Sequence, residues 1–270
     1  MKRLEGKVAI ITGAGSGIGE ATAALFAEQG AKVIVSDVNT AAGEQTVKKI
    51  KDSGGDAAFI YCDVSKFRDV ESMVNSAVKT YGKVNVMMNN AGYISPFACV
   101  DTPLEEWEKG MAVDLNGVFY GCKCVIPVMI KSGGGSIINV SSISGLYGEY
   151  KMCWYSTAKA GVANLTRSIA VDYGRDGIRC NAINPGMTIT EMTRAMLDSD
   201  PRIKEAIGRN YPTGRLGTPR EVANCALFLA SDESSIVNGV NLVCDGGLTA
   251  HSGQPDYAEI EKYANRKYKD

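Results

Sequence analysis

The sequence predicts an α/β fold, one doubly wound domain whose parallel sheet carries helices on both faces. Three observations predict it. Short β-branched, apolar runs alternate with longer stretches of helical periodicity along most of the chain, the order that builds a parallel sheet with crossover helices. Strand candidates such as "VAII" at Val8–Ile11 are continuously apolar, as strands covered on both faces are. The length of 270 residues suits one large domain that needs no disulfide or metal staples to hold its core.

Taken in order, the β-like runs place strands at Val8–Thr12, Lys32–Asp37, Asp56–Cys62, Val84–Asn89, Ser136–Ser141, Ile178–Asn184 and Val240–Cys244. Helical spacing fills the gaps at Gly17–Gln29, Ala41–Ser53, Lys66–Tyr81, Leu104–Lys131, Trp154–Gly174 and Pro219–Ser231. No repeat of solenoid period and no low-complexity linker divides the chain, so residues 1–250 read as a single domain. Two stretches fall outside the alternation. Thr188–Tyr211 bears methionines and is weakly periodic, as expected of a lid or substrate loop. The tail, His251–Asp270, carries Tyr257, Ile260, Tyr263 and Ala264 at three- and four-residue spacing, with Lys262, Arg266, Lys267 and Lys269 largely between them. That spacing predicts a short amphipathic helix.

Composition narrows the function. Net charge is −1 and the charged residues are dispersed, so no basic stripe marks a nucleic-acid partner. The longest apolar run, Val222–Ala230, is too short to span a bilayer, and "MKRLEGK" leads straight into a β-like run without a secretory pattern. The eight cysteines form no C-x-x-C pair and His251 is the only histidine, so no metal cluster is expected. Free thiols in a reducing cytoplasm are the expectation.

"ITGAGSGIGEA" follows the first strand and opens the first helix. Gly13, Gly17 and Gly19 are spaced G-x-x-x-G-x-G; glycines there let a pyrophosphate approach the amides of Ser16, Gly17, Ile18 and Gly19 at a helix N-terminus. About twenty residues on, Asp37 ends the second strand, where a carboxylate accepts hydrogen bonds from an adenine-ribose hydroxyl and repels a 2′-phosphate. Ser16 is not basic and Val38 follows the acid. The pattern points to NAD over NADP.

"YSTAK", Tyr155–Lys159, sets a phenol and an ammonium four residues apart, one above the other on a helix face. A nearby ammonium favours the phenolate, so the pair reads as a tuned acid–base.

With these motifs in place, the chain over about residues 4–248 resembles the short-chain dehydrogenase/reductase family, in its shorter dehydrogenase branch. "TGAGSGIG", "CDV" at Cys62–Val64, "NNAG" at Asn89–Gly92, "LNGVF" with Asn116, "IINVSS" ending in Ser142, "NPG" at Asn184–Gly186 and the terminal "DGG" at Asp245–Gly247 occur in the family's order. The resemblance implies a Rossmann domain with a seven-stranded parallel sheet and a catalytic tetrad of Asn116, Ser142, Tyr155 and Lys159. Ser142 would steady the substrate oxygen, Tyr155 would exchange its proton, Lys159 would tune the phenol and hold the nicotinamide ribose, and Asn116 would anchor a water. Ser142 rather than Ser141 takes the serine role by its spacing of 13 to Tyr155. Asp63 and Val64 would meet the adenine, Asn90, Ala91 and Gly92 would flank the cofactor, and Pro185, Gly186, Thr188 and Thr190 would meet the carboxamide or pyrophosphate. Thr188 departs from the commonest pattern.

The same resemblance places the substrate wall on Ser144–Trp154, Tyr93–Ser95 and the Thr188–Tyr211 loop. Tyr147, Tyr150, Trp154, Met187, Met192 and Met196 would make it apolar, with Lys151 the one basic candidate for a carboxylate. The lead substrate is an apolar secondary alcohol or ketone, a steroid or alicyclic ring, in a hydroxysteroid-dehydrogenase-like enzyme. The alternatives are a 3-oxoacyl-carrier-protein reductase, against which Asp37 counts, and a non-catalytic dinucleotide sensor, against which the full tetrad counts. A homotetramer is expected, joined through the helices at Leu104–Lys131 and Trp154–Gly174.

Overall fold

The computed structural model describes residues 2–252 together with residues 254, 257, 260 and 261. The first half runs β1 (Val8–Thr12), α1 (Gly17–Glu28), β2 (Lys32–Asp37), α2 (Thr40–Asp52), β3 (Asp56–Tyr61), α3 (Phe67–Tyr81) and β4 (Val86–Asn89). The second runs α4 (Leu104–Met111), α5 (Gly117–Lys131), β5 (Gly135–Val140), α6 (Cys153–Tyr173), β6 (Ile178–Pro185), α7 (Glu191–Leu197), α8 (Pro201–Gly208), α9 (Pro219–Ala230) and β7 (Asn241–Cys244). The strands form one seven-stranded sheet in the order β3-β2-β1-β4-β5-β6-β7, parallel at every pairing. This is the doubly wound Rossmann architecture that the alternation predicts. Strand order reverses between β1 and β4, and there a crevice opens beyond the strands' carboxyl ends.

Neighbouring residues on a strand face opposite sides, and the core divides accordingly. Ile11, Val33, Val35, Met88 and Ile138 pack with Phe26 of α1 and Leu227 of α9. Ile10, Ile34, Met87 and Ile137 pack with Met73 of α3, Val125 of α5 and Val162 of α6. Full burial of one such side chain contributes about 1.5–3 kcal/mol, so both faces anchor the central strands.

The expected Leu104–Lys131 helix is interrupted by a π-helical stretch at Ala112–Asn116. It is the one helix among the described residues long and apolar enough to cross a membrane, and 44% of that window is buried within the protein. The expected Thr188–Tyr211 loop contains two helices. Thr190 caps α7 in a capping box with Thr193, and Asp200 caps α8, whose first residue is Pro201, a position that suits a residue lacking an N–H. All eight cysteines carry free thiols. In the tail, Tyr257 and Ile260 are helical and exposed, while Lys262, Tyr263, Ala264, Arg266, Lys267 and Lys269 lie outside the described residues.

Candidate active site

The chain leaves β1 through a turn in which Gly13 and Gly17 have φ of 63° and 55°, a region that glycine enters without steric cost. Space forbids a side chain as well. A Cβ on Gly13 would lie 2.8 Å from the Ala91 Cα, and one on Gly19 would lie 2.1 Å from the Gly13 carbonyl oxygen. The segment after β4 braces this turn. The amides of Asn90 and Ala91 donate to the Thr12 hydroxyl at 3.0 and 3.1 Å, and the Asn90 side chain donates to the carbonyls of Thr12 and Gly13 at 2.9 and 3.1 Å. Ser16 stands in extended conformation at the N-cap of α1 and makes no side-chain cap bond, so the first amides of the helix, at Gly17, Ile18 and Gly19, face the crevice without a capping side chain. Across it, Thr190 lies 3.2 Å from where a Gly17 Cβ would stand. Gly17, Ala21, Ile189, Glu191 and Arg194 line an open cleft of about 320 Å³.

Asp37 closes the other end of the crevice. Its carboxylate accepts from the Gly15 amide and from the Asn39 amide, each at 2.8 Å, which fixes it against the turn. Asp63 is held by its own neighbours: the Ser65 amide and hydroxyl donate to it at 3.1 and 2.6 Å, and the Lys66 ammonium lies 3.0 Å away. Burial opposes its charge, but these donors hold the carboxyl below the usual aspartate range. Val64 is buried against Gly117 of α5, where an added Cβ would lie 3.0 Å from the valine side chain.

At the end of β6, Pro185 and Gly186 turn the chain against Asp245, whose Cβ would meet a Gly186 Cβ at 3.0 Å. The Met187 amide donates to the Tyr211 hydroxyl at 2.8 Å. The Thr188 hydroxyl donates to the Gly186 carbonyl at 3.1 Å, and Thr188 pairs with Gly217 in an isolated parallel bridge.

Tyr155 and Lys159 lie on one face of α6. The lysine is 3% exposed, its ammonium 5.5 Å from the centre of the Tyr155 ring and donating to the Val140 carbonyl at 3.0 Å. Ser142 follows β5 and accepts from the Ser144 amide at 3.1 Å. Its hydroxyl also acts on the Tyr155 phenol. Ser141, just past the end of β5, finds a different partner and donates to the Lys159 carbonyl at 2.8 Å. Ser144 hydrogen-bonds Glu149, which brings an unforeseen carboxylate toward the tyrosine.

Asp114, two residues before Asn116, meets the lysine, its Oδ2 3.1 Å from the ammonium. The two are both in the π-helical stretch, and residues two apart on a helix point to different sides. Trp154 is not a pocket wall. It is fully buried, stacked on Tyr93 at 5.0 Å and donating to the Ser95 carbonyl at 3.1 Å, against Gly110, where a Cβ would lie 2.2 Å from its ring. The Tyr155 phenol stands above its ordinary value: burial pushes it up, the Lys159 ammonium pulls it back as expected, and the Asp114 carboxylate adds to the rise. Met187 packs into a small cluster with Tyr211 and Leu216, while Tyr147, Met192 and Met196 are exposed.

Residues 13–249 match the family model described as Enoyl-(Acyl carrier protein) reductase. The meso-2,3-butanediol dehydrogenase of Serratia marcescens is 38% identical over 94% of this chain and 98% of its own. The cyclohexanol dehydrogenase of an Acinetobacter strain is 38% identical over 92% of this chain and 97% of its own. The crystal structure of a putative short-chain dehydrogenase/reductase from Burkholderia xenovorans superimposes with a TM-score of 0.89, at 36% identity over 93% of this chain and 99% of that one. The chain belongs to the short-chain dehydrogenase/reductase family.

As a short-chain dehydrogenase/reductase it is an oxidoreductase acting on CH–OH groups and binds a nicotinamide dinucleotide, NAD or NADP. The residues present fit that group: the turn at Gly13–Gly19 has the space of missing side chains, uncapped helix amides and an open cleft beside them.

Proposed function

We propose that this short-chain dehydrogenase/reductase interconverts a secondary alcohol and a ketone with NAD, using Tyr155 as the acid–base. The observation that carries the reading is the Lys159 ammonium held beneath the Tyr155 ring, with the lysine buried and donating to the Val140 carbonyl at the end of β5. In ketone reduction Ser142 donates a hydrogen bond to the substrate oxygen and Tyr155 delivers the proton; in alcohol oxidation the tyrosine takes it back. Lys159, buried, opposes the cost of a charged phenolate. Burial disfavours its ammonium, but Asp114 and Tyr155 hold it above the ordinary lysine value, so it stays charged at neutral pH. The nicotinamide, when bound, supplies the hydride acceptor or donor.

Asp37 supports NAD over NADP, because a carboxylate fixed at the end of β2 repels a 2′-phosphate. Gly13, Ser16, Gly17, Ile18, Gly19, Asp63, Val64, Asn90, Ala91, Gly92, Pro185, Gly186, Thr188 and Thr190 complete the proposed cofactor site. The substrate is an apolar alicyclic alcohol: a cyclohexanol dehydrogenase is among the relatives, and Met187, Met192, Met196 and Tyr147 stand on the segments that follow β5 and β6. The 3-oxoacyl-carrier-protein reductase reading is favoured by a relative so described from Thermotoga maritima, 41% identical over 91% of this chain and 99% of its own. A homotetramer in the cytoplasm completes the proposal. Phe119 and Ile130 of α5 and Val171 of α6 are exposed apolar residues on the helices expected to pair, and the free thiols suit a reducing compartment. Incubation with NAD or NADP and a panel of cyclic and acyclic secondary alcohols, read as reduced-nicotinamide absorbance, tests the reading. NAD-dependent turnover of a cyclic alcohol is expected, and no turnover with any alcohol would refute it.

A further inference from the structure

Glu149 belongs to no expectation drawn from the glycine loop, the tetrad or the apolar pocket wall. It is exposed, on the segment between β5 and α6, and a buried side chain holds it there. The Ser144 hydroxyl donates to its carboxylate. Ser144 is 5% exposed and its hydroxyl lies 3.1 Å from that of Ser142, to which the Ser144 amide also donates at 3.1 Å. Two hydrogen bonds therefore join the carboxylate to the serine proposed to bind the reacting oxygen, a span of less than about 6 Å. Burial raises the Tyr155 and Tyr211 phenols, and the charge of Glu149 adds to both rises, as expected of a carboxylate that faces the crevice between α6 and the segment after β6. Among the described residues Ser144 is its one hydrogen-bond partner, and no lysine or arginine pairs with it. A carboxylate has about four acceptor sites, so most of its capacity is open to a ligand. The wall that the sequence marks as apolar thus carries one unanswered negative charge.

We infer that Glu149 is a specificity-determining residue, which selects secondary alcohols bearing a hydrogen-bond donor, hydroxyl or ammonium, on the carbon beside the carbinol, and turns away those bearing a carboxylate there. The inference deepens the proposed alcohol oxidation and rests on it. An alcohol whose oxygen sits on Ser142 carries its neighbouring substituent close to that oxygen, within the span that separates Ser142 from Glu149. A donor at that place meets an acceptor already oriented by Ser144, so little ordering is needed on binding, and the bond is charge-assisted. A carboxylate at the same place meets a like charge. The rest of the ring stays apolar.

The full chain with NAD is assayed against cyclohexanol and its ring analogues with an adjacent hydroxyl, an adjacent ammonium or an adjacent carboxylate. Read as reduced-nicotinamide absorbance, kcat/KM is expected to be about tenfold higher for the hydroxyl and ammonium analogues than for cyclohexanol, and lower for the carboxylate. In Glu149→Gln, which keeps an oxygen for Ser144 and removes the charge, the advantage of the ammonium analogue over cyclohexanol should fall about tenfold. That of the hydroxyl analogue should fall less, and the carboxylate analogue should gain. Equal efficiency with all four in the unmodified protein would overturn the inference. So would an unchanged ranking in the variant, or a variant that loses all four alike, which would leave Glu149 as a support for Ser144 only. If the unmodified protein oxidises none of them, the proposed function fails, and calorimetric titration of the four compounds into the NAD-loaded protein still decides the inference. The hydroxyl and ammonium analogues should then bind about tenfold tighter than cyclohexanol; equal binding, or none, would overturn it.

Discussion

The turn after β1 and the segment after β6 lie on the same edge of the sheet, yet they are held in different ways. Around Gly13–Gly19 every freedom is removed: two positive φ angles, Cβ positions already taken by backbone, and four hydrogen bonds between the turn and the segment after β4. From Met187 to Gly217 the chain rests on a cluster whose buried members are Leu197, Tyr211 and Leu216, on the hydroxyl that accepts the Met187 amide, on the Thr188–Gly217 bridge, and on helices of seven and eight residues. The contrast teaches where variation is tolerated. A turn proposed to bind phosphate would work only at one shape, and packing over-determines this one. The segment proposed to admit a substrate is held instead by side chains, one short bridge and its own two short helices.

The largest effect that would test this division lies between the two regions. Tyr155→Phe should lower kcat by roughly 10²–10⁴-fold and leave NAD affinity nearly unchanged, measured by steady-state kinetics and cofactor titration; a near-native rate would remove the tyrosine from the chemistry. Next comes Gly19→Ala. Its Cβ would enter the Gly13 carbonyl, so we expect about 1–3 kcal/mol of lost stability and a large loss of NAD affinity, read by denaturant melting and calorimetry. Retention of both would show the turn to be far more pliable than its packing implies. Tyr211→Phe, on the looser side, deletes the acceptor of the Met187 amide. It should cost about 1 kcal/mol and raise the substrate KM with NAD affinity intact; an equal loss in both constants would couple the two regions. The smallest effect belongs to Met192→Ala. The side chain is 52% exposed, so stability should stay within about 0.5 kcal/mol while the preference among cyclic alcohols changes. A larger loss of stability would mean that this methionine is packed by a partner.

Much of the fold was legible because it depends on local pattern. Continuous apolar runs mark strands covered on both faces, and Ile10 and Ile11, or Met87 and Met88, duly point into opposite cores. The strand–glycine–helix order and the four-residue spacing of Tyr155 and Lys159 also state their geometry directly, since period alone places residues on a face. The helices of the 188–211 segment were harder to see, because their signal lies in caps at Thr190 and Asp200 rather than in an apolar stripe.

The sequence by itself therefore determined the doubly wound sheet, the position of the glycine turn and the pairing of phenol with ammonium, all of which follow from spacing along one strand or one helix. Only the tertiary structure brought Asp114 to Lys159, because a π-helical stretch breaks the 3.6-residue count from which a facing residue would be inferred. Only the tertiary structure buried Trp154, since the space it fills is left by Gly110 on another helix. It alone fixed the sign of the shift at Tyr155 as well. That sign is the balance of burial against charges arriving from α6, the π-helical stretch and the loop before α6, and no single segment of sequence contains those distances.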